Sequence, residues 1–299
     1  MSASPNTVGM AEITEREQRQ IDQANSSGKT PVVFIHGLWL LPSSWDNWVG
    51  LFEENGYAAV TPSWPDDPET VEEARANPEV FARKTLKRVA DHTATVIDQL
   101  DKKPAVMGHS TGGLLTQMIA DRGLSAASVA IDPGPFRGVL PLPLSALKSA
   151  SPVLRNPLNR GRAITLTFDQ FKYGWANALD DREARHLYDT YHVAGPGVAL
   201  AQMANANVNP FTEAKVDPRN PDVTARRRAC RTRHGQNRRH HRNTLSRWPC
   251  RCRACRPAFP RPASGPLRQR ADGSCARLAS APPPRAAVAA ARVACCAPA

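Results

Sequence analysis

No stretch of the 299-residue sequence approaches the ~20 consecutive apolar residues that a membrane-spanning helix needs. The opening "MSASPNTVGMAEITEREQRQ" also lacks the apolar core of a secretory signal. No membrane partner is expected, and a cytoplasmic location is. Residues 1–222 contain no cysteine: Cys230, Cys250, Cys252, Cys255, Cys275, Cys295 and Cys296 all lie beyond them. After Lys215 there is no Ile, Lys, Tyr or Met. From Ala225 to Ala299 there are 18 arginines and one acid, Asp272, so residues 1–224 hold 21 basic and 26 acidic residues. The formal charge of +12 therefore belongs wholly to the tail, and the body carries a net −5. A basic protein ordinarily suggests nucleic acid or a membrane surface as partner. An acidic body with a detached basic tail weakens that inference and requires the two parts to be explained separately.

What the body does contain is concentrated in "KPAVMGHSTGGLLTQM", residues 103–118. Pro104 to Met107 is short and apolar, as a strand buried between helix layers should be. Leu114, Leu115, Met118 and Ile119 then recur at helical spacing. Between them stands Gly108-His109-Ser110-Thr111-Gly112, a G-x-S-x-G pattern in the strand–turn–helix setting of a nucleophile elbow. There the serine occupies strained backbone, and Gly108 and Gly112 provide the room. The competing structural reading is a tight turn whose serine merely caps the helix. Ser110 at a helix N-terminus would stand beside unpaired N–H groups that favour developing negative charge.

Acyl transfer also needs oxyanion donors. "PVVFIHGLWLLPSSW", residues 31–45, is a β-branched and aromatic run ending in His36-Gly37. Together, the His-Gly loop after a strand and the G-H-S-x-G-G elbow resemble the α/β-hydrolase superfamily over roughly residues 28–220. The resemblance implies that Ser110 is the nucleophile and that Leu38, with Trp39 as alternate, and Thr111 donate the oxyanion hydrogen bonds. It makes Gly37, Gly108 and Gly112 motif glycines and requires no cofactor and no metal. His36 and His109 belong to the turns and are not assigned as the base.

The remaining pattern agrees. "YAAVTPSWP" at 57–65 reads as a strand, 70–101 as charged helices, and "ASVAIDPGPF" at 127–136 as the strand after the elbow helix. Alternating strands and helices predict an α/β fold: a mostly parallel sheet with helices on both faces. Residues 1–27 are expected to be a leader and a short helix from about Glu12 to Ala24, and 28–136 the core. Residues 137–205, helical and Pro-interrupted, are expected to form an inserted helical cap that shapes the substrate pocket. Residues 206–222 return to the core, and 223–299 form an aberrant, disordered tail, its few large apolar residues being too sparse to offset the entropy of ordering.

As a functional element the tail is poorly equipped. Cys250, Cys252 and Cys255 lack a matching second knuckle for metal, and the near absence of aromatics disfavours nucleic acid despite the arginines. Arg, Ala, Pro, Gly and Cys are what a GC-rich gene yields in a wrong reading frame. Reading degenerate codons for 223–241 from their second base permits "LPLVVVLAGHGMDRTVVI", a strand followed by a G-x-x-D-x-x-V of the kind that carries the family's acid. The same shift over Phe259 to Arg268 permits "FPDRxxGHS", similar to the family's histidine loop.

A serine needs an imidazole to take its proton and a carboxylate to orient the imidazole. Asp132, just after a strand, is a candidate acid, set against its reading as a turn-stabilising residue before Pro133-Gly134. His92, His186 and His192 read as helix-surface or cap residues, His192 being also able to line the pocket. His234, His240 and His241 lie in the tail. No base is assigned. The sequence thus predicts a serine hydrolase for a small-molecule, ester-like acyl substrate, impaired as encoded. A non-catalytic binding protein, using the cap pocket or the basic tail, and a haloperoxidase-like or lyase reaction on the same fold are the alternatives.

Overall fold

A computed structural model describes residues 12–139, 144–217 and 219–220. The leader before residue 12 and the expectations for 223–299 lie outside the described residues. Four apolar runs form one parallel sheet: β1 (Thr30–Ile35), β2 (Tyr57–Val60), β3 (Ala105–His109) and β4 (Ala127–Ile131), in the order β2-β1-β3-β4. The right-handed crossovers expected of such a sheet place helices on its faces, and the side-chain alternation shows how far each face is filled.

Val33, Ile35, Val60 and Val106 point to one face and pack with residues from α1 (Glu15–Ser27), α4 (Leu86–Asp98) and α5 (Thr111–Asp121) in a single apolar cluster. Leu114, Leu115 and Ile119 of α5 are fully buried there. Each such side chain contributes about 1.5–3 kcal/mol of burial. Val32, Phe34, Ala59 and Met107 point to the other face, beneath Trp45 and Phe52, which belong to a 3₁₀ turn and to α2 (Asp46–Glu54). Helices therefore lie on both faces.

Local chemistry sets the boundaries. Helix α1 starts and ends three residues later than the sequence predicts. Thr14 caps it through Glu17, which reciprocates to the Thr14 N–H, and Gly28 closes it at φ 63°. Glu17 is buried, accepting from Ser63 N (2.8 Å) and His92 Nε2 (3.0 Å). His92 is therefore an interior residue of α4, not a surface one. The charged stretch after β2 forms α3 (Val71–Ala76), a 3₁₀ turn (Pro78–Phe81) and α4.

The described part of 137–205 contains α6 (Leu144–Leu154), α7 (Phe168–Trp175), α8 (Asp181–Tyr191) and α9 (Gly197–Ala204). A two-residue antiparallel ribbon, β5 (Ala163–Ile164) with β6 (Gly195–Pro196), ties its middle to its end. Among the described residues no helix is long and apolar enough to cross a membrane.

Candidate active site

Ser110 stands between β3 and α5 with φ 55° and ψ −120°, a conformation that a non-glycine residue holds only when its surroundings impose it. Three hydrogen bonds do so. Ser110 N donates to Ile131 O (3.0 Å), while Ser110 O accepts from Gly134 N (2.8 Å) and Leu114 N (3.2 Å). The flanking glycines are demanded by packing. A Cβ on Gly108 would lie 2.2 Å from Gly112 O, and one on Gly112 would lie 2.0 Å from Ile35 O. The Ser110 side chain makes no capping hydrogen bond to α5, and its backbone is not that of an ordinary N-cap. Ser110 therefore does not cap α5 through its side chain. The first-turn N–H groups of α5, Thr111's included, have no intrahelical acceptor. Thr111 itself is fully buried, its Oγ1 3.7 Å from Met203 Sδ of α9.

The loop after β1 runs directly against this serine: a Cβ on Gly37 would sit 3.2 Å from Ser110 Cβ and 3.8 Å from its Oγ. Leu38 and Trp39 are buried, and Trp39 takes φ 64°, unusual for a bulky residue. Trp39 anchors the loop to the later segment. Its Nε1 donates to Ile164 O of β5 (2.9 Å), its carbonyl accepts from Val193 N (3.1 Å), and Trp175 packs edge-on at 5.0 Å. A narrow crevice lined by Trp39, Trp64, Phe81 and Ala194 lies beside this loop and does not include Ser110.

Behind the loop is a buried charged group that the sequence does not announce. His36 Nδ1 donates to Gly37 O at 3.0 Å, and its Nε2 lies 3.4 Å from Asp67 Oδ2. The Asp67 carboxylate accepts from Trp64 N (3.2 Å) and from Lys84 Nζ, whereas His36 Nε2 has no hydrogen-bond partner. Lys84 is fully buried. Burial pushes its pKa below the ordinary lysine value, with the Asp67 carboxylate pulling the other way.

The remaining predicted residues fall into place unevenly. Asp132 follows β4 at φ 39° and is exposed; its charge raises the pKa of His109, which burial more strongly lowers. His186 is exposed on α8, as expected. His192 is buried rather than superficial: its ring stacks on Tyr188 (4.5 Å) and meets Phe171 edge-on (5.7 Å). Burial, with a smaller contribution from Arg75, lowers its pKa to about 4. His234, His240 and His241 lie outside the described residues, among which no group of His, Cys, Asp or Glu could hold a metal ion.

The family model described as the Alpha/beta hydrolase family matches residues 32–296. The chain belongs to the alpha/beta hydrolase family. Solved alpha/beta hydrolases resemble it at low identity. An extracellular alpha/beta-hydrolase from a Paenibacillus species is 20% identical, with 66% of this chain and 74% of that chain covered and a TM-score of 0.45. The monoacylglycerol lipase of Paleococcus ferrophilus is 19% identical, with 59% and 66% covered and a TM-score of 0.39. Polyneuridine aldehyde esterase is 16% identical, with 60% and 73% covered and a TM-score of 0.42. No match was found among curated proteins.

Proposed function

We propose that the chain is a serine hydrolase for ester-like or related small-molecule acyl substrates, with Ser110 as nucleophile. The observation that carries this is the strained Ser110 backbone, with its side chain free of capping duty and the His36-Gly37 loop packed against it. In the reaction, Ser110 Oγ attacks the substrate carbonyl carbon as its proton passes to a base, and the carbonyl oxygen becomes an oxyanion. Leu38 and Thr111 N–H groups, with Trp39 as the alternate donor, stabilise that charge. Collapse expels the alcohol, and water releases the acyl group by the reverse sequence. Residues 137–205 act as the cap over the substrate, no cofactor is required, and nucleic acid is not the partner of the tail.

The chain as encoded is impaired in this reading, because its acid and base belong to a segment translated out of frame after about residue 222. Among described residues Asp132 is the candidate acid. His192 is a poor base, since a group with a pKa of about 4 takes up a proton weakly near neutrality. The tail's lack of Ile, Lys, Tyr and Met supports the altered frame. Hydrolysis of p-nitrophenyl acetate by the chain and by Ser110→Ala tests the assignment. A weak rate that Ser110→Ala removes is expected. A rate unaffected by that substitution would overturn Ser110 as nucleophile.

A further inference from the structure

We propose that Trp39 is a positioning residue of the oxyanion loop: the β5-β6 ribbon grips its indole and its carbonyl, and so holds the Leu38–Trp39 peptide where the loop's N–H groups face the reacting carbonyl. The inference rests on the hydrolase reading above and extends it to a partner 125 residues further along the chain. Trp39 stands in left-handed backbone at φ 64°, where a bulky side chain stays only if its surroundings impose it. Upstream, the loop is fixed at Gly37, which packs against Ser110. The strained φ is therefore the link between that fixed point and whatever fixes Trp39 itself.

What fixes Trp39 comes from the ribbon and the residues that enter it. The indole Nε1–H donates to Ile164 O of β5 at 2.9 Å. The Trp39 carbonyl accepts from Val193 N at 3.1 Å. The indole also lies on Gly195 of β6 so closely that a Cβ there would be 3.0 Å from Nε1 and 3.1 Å from Cδ1. Trp175 of α7 packs edge-on against the same ring at 5.0 Å. The ribbon is itself well anchored. Arg75 of α3 donates through Nε and Nη2 to His192 O (3.2 and 3.0 Å), one residue before Val193, and through Nη2 to Tyr188 O and Asp189 O (3.0 and 2.9 Å). Just past β6, Gly197 N donates to Arg162 O at 3.0 Å. With the grip lost, φ of Trp39 relaxes toward the ordinary negative range. A planar peptide turns as a unit, so Leu38 O and the Trp39 N–H swing together and the Leu38 N–H is displaced with them.

The test uses the full-length chain, Trp39→Phe, Gly195→Ala and the double variant Trp39→Phe/Gly195→Ala. Trp39→Phe keeps an aromatic ring and the backbone N–H but cannot donate to Ile164 O. Gly195→Ala leaves Trp39 in place and presses on its indole from the ribbon side. Two measurements are made: Ser110-dependent hydrolysis of p-nitrophenyl acetate, and hydrogen exchange of the Val193 amide, with the Leu115 amide of α5 as the control for global opening. In Trp39→Phe, kcat should fall about tenfold or more, up to the ~10²–10³ loss of a whole oxyanion donor, with KM changed less than about twofold. Val193 should exchange at least about tenfold faster relative to Leu115. Gly195→Ala should lower kcat about threefold in the wild-type chain but not in Trp39→Phe, because the atoms it presses on are indole atoms that phenylalanine lacks. A Trp39→Phe chain that keeps its kcat would overturn the proposal, whether or not Val193 loosens, as would losses that simply add in the double variant. Where Trp39→Phe does not fold, Gly195→Ala decides alone, and an unchanged kcat overturns the proposal. If Ser110→Ala leaves the wild-type rate intact, the hydrolase reading fails, and Val193 exchange still decides whether the indole fastens the ribbon to the loop.

Discussion

The two faces of the sheet are finished to different degrees. On the face covered by α1, α4 and α5, Val33, Ile35, Val60 and Val106 are each at most 1% exposed. On the other, Phe34 and Met107 are sealed under Trp45 and Phe52, but Ala105, Val129 and Ile131 are only partly buried. Every residue of β4 is half-buried, and among the described residues β4 pairs on one side alone. The elbow lies on the finished side of this divide: Gly108 and Gly112 interlock with β1 and α5, while the loop bearing Asp132 hangs from the unfinished strand. The difference teaches how the Ser110 turn can be tightly packed while the neighbouring β4 is only half-buried. The Ser110 turn and the His36-Gly37 loop interlock through residues 35–112 and are fastened further by Ile131, Gly134, Ile164 and Val193, whereas in the proposed reading the acid and the base come from beyond β4.

The largest effect that sharpens this contrast is expected from Gly112→Ala. Its Cβ would overlap Ile35 O, which only a shift of β1 against α5 could relieve. A loss of at least about 3 kcal/mol or failure to fold is expected, read by urea denaturation. Next is a matched pair. Leu115→Ala, on the finished face, should cost about 2–5 kcal/mol, and Val129→Ala, on the half-buried strand, less than about 1 kcal/mol. Equal losses would break the comparison.

Acid should weaken the later segment. His192 is neutral in the fold with a pKa lowered from 6.5 to about 4, so below pH 6.5 the unfolded chain binds a proton that the folded chain refuses. Stability therefore falls as pH drops from about 6.5 to 4, by up to roughly 3 kcal/mol, and levels off from this source below that. His192→Phe, which keeps the stacking but cannot protonate, should flatten the decline in that window. Glu17, its pKa lowered on balance although burial alone would raise it, adds a further loss only as pH falls through and below the ordinary glutamate range.

Much of this was legible in the sequence where backbone geometry dictates residue type. A serine between glycines after a short apolar run has few structural explanations, and in the fold Gly37 packs beside Ser110. The sheet strands were legible from β-branched runs, although the nine-residue run after Gly56 yields a strand of only Tyr57–Val60 because the following residues bond instead to α1 through Arg16 and Gln20. The Asp67–Lys84 pair was not legible, since nothing local distinguishes a lysine that will be buried from one that will be solvated. His92 was hidden for a related reason: its partner Glu17 lies 75 residues away. The ribbon β5-β6 is two residues per strand, too short for any periodicity.

A smaller effect concerns solubility. Among the described residues one edge of β4 is unpaired, and an unpaired edge is a template for association, so Val129→Thr should reduce aggregation in light scattering while changing the unfolding midpoint little. Increased aggregation would mean that this strand is not the adhesive surface.

The central claim is that Ser110 and its oxyanion loop await an acid and a base displaced by the reading frame. Its most direct test is p-nitrophenyl ester hydrolysis by protein expressed from a gene shifted by one nucleotide after codon 222, with Ser110→Ala in the same background. A gain of at least about 10³-fold over the encoded chain, abolished by Ser110→Ala, is predicted. No gain, or an encoded chain already turning over at the restored rate, would contradict it.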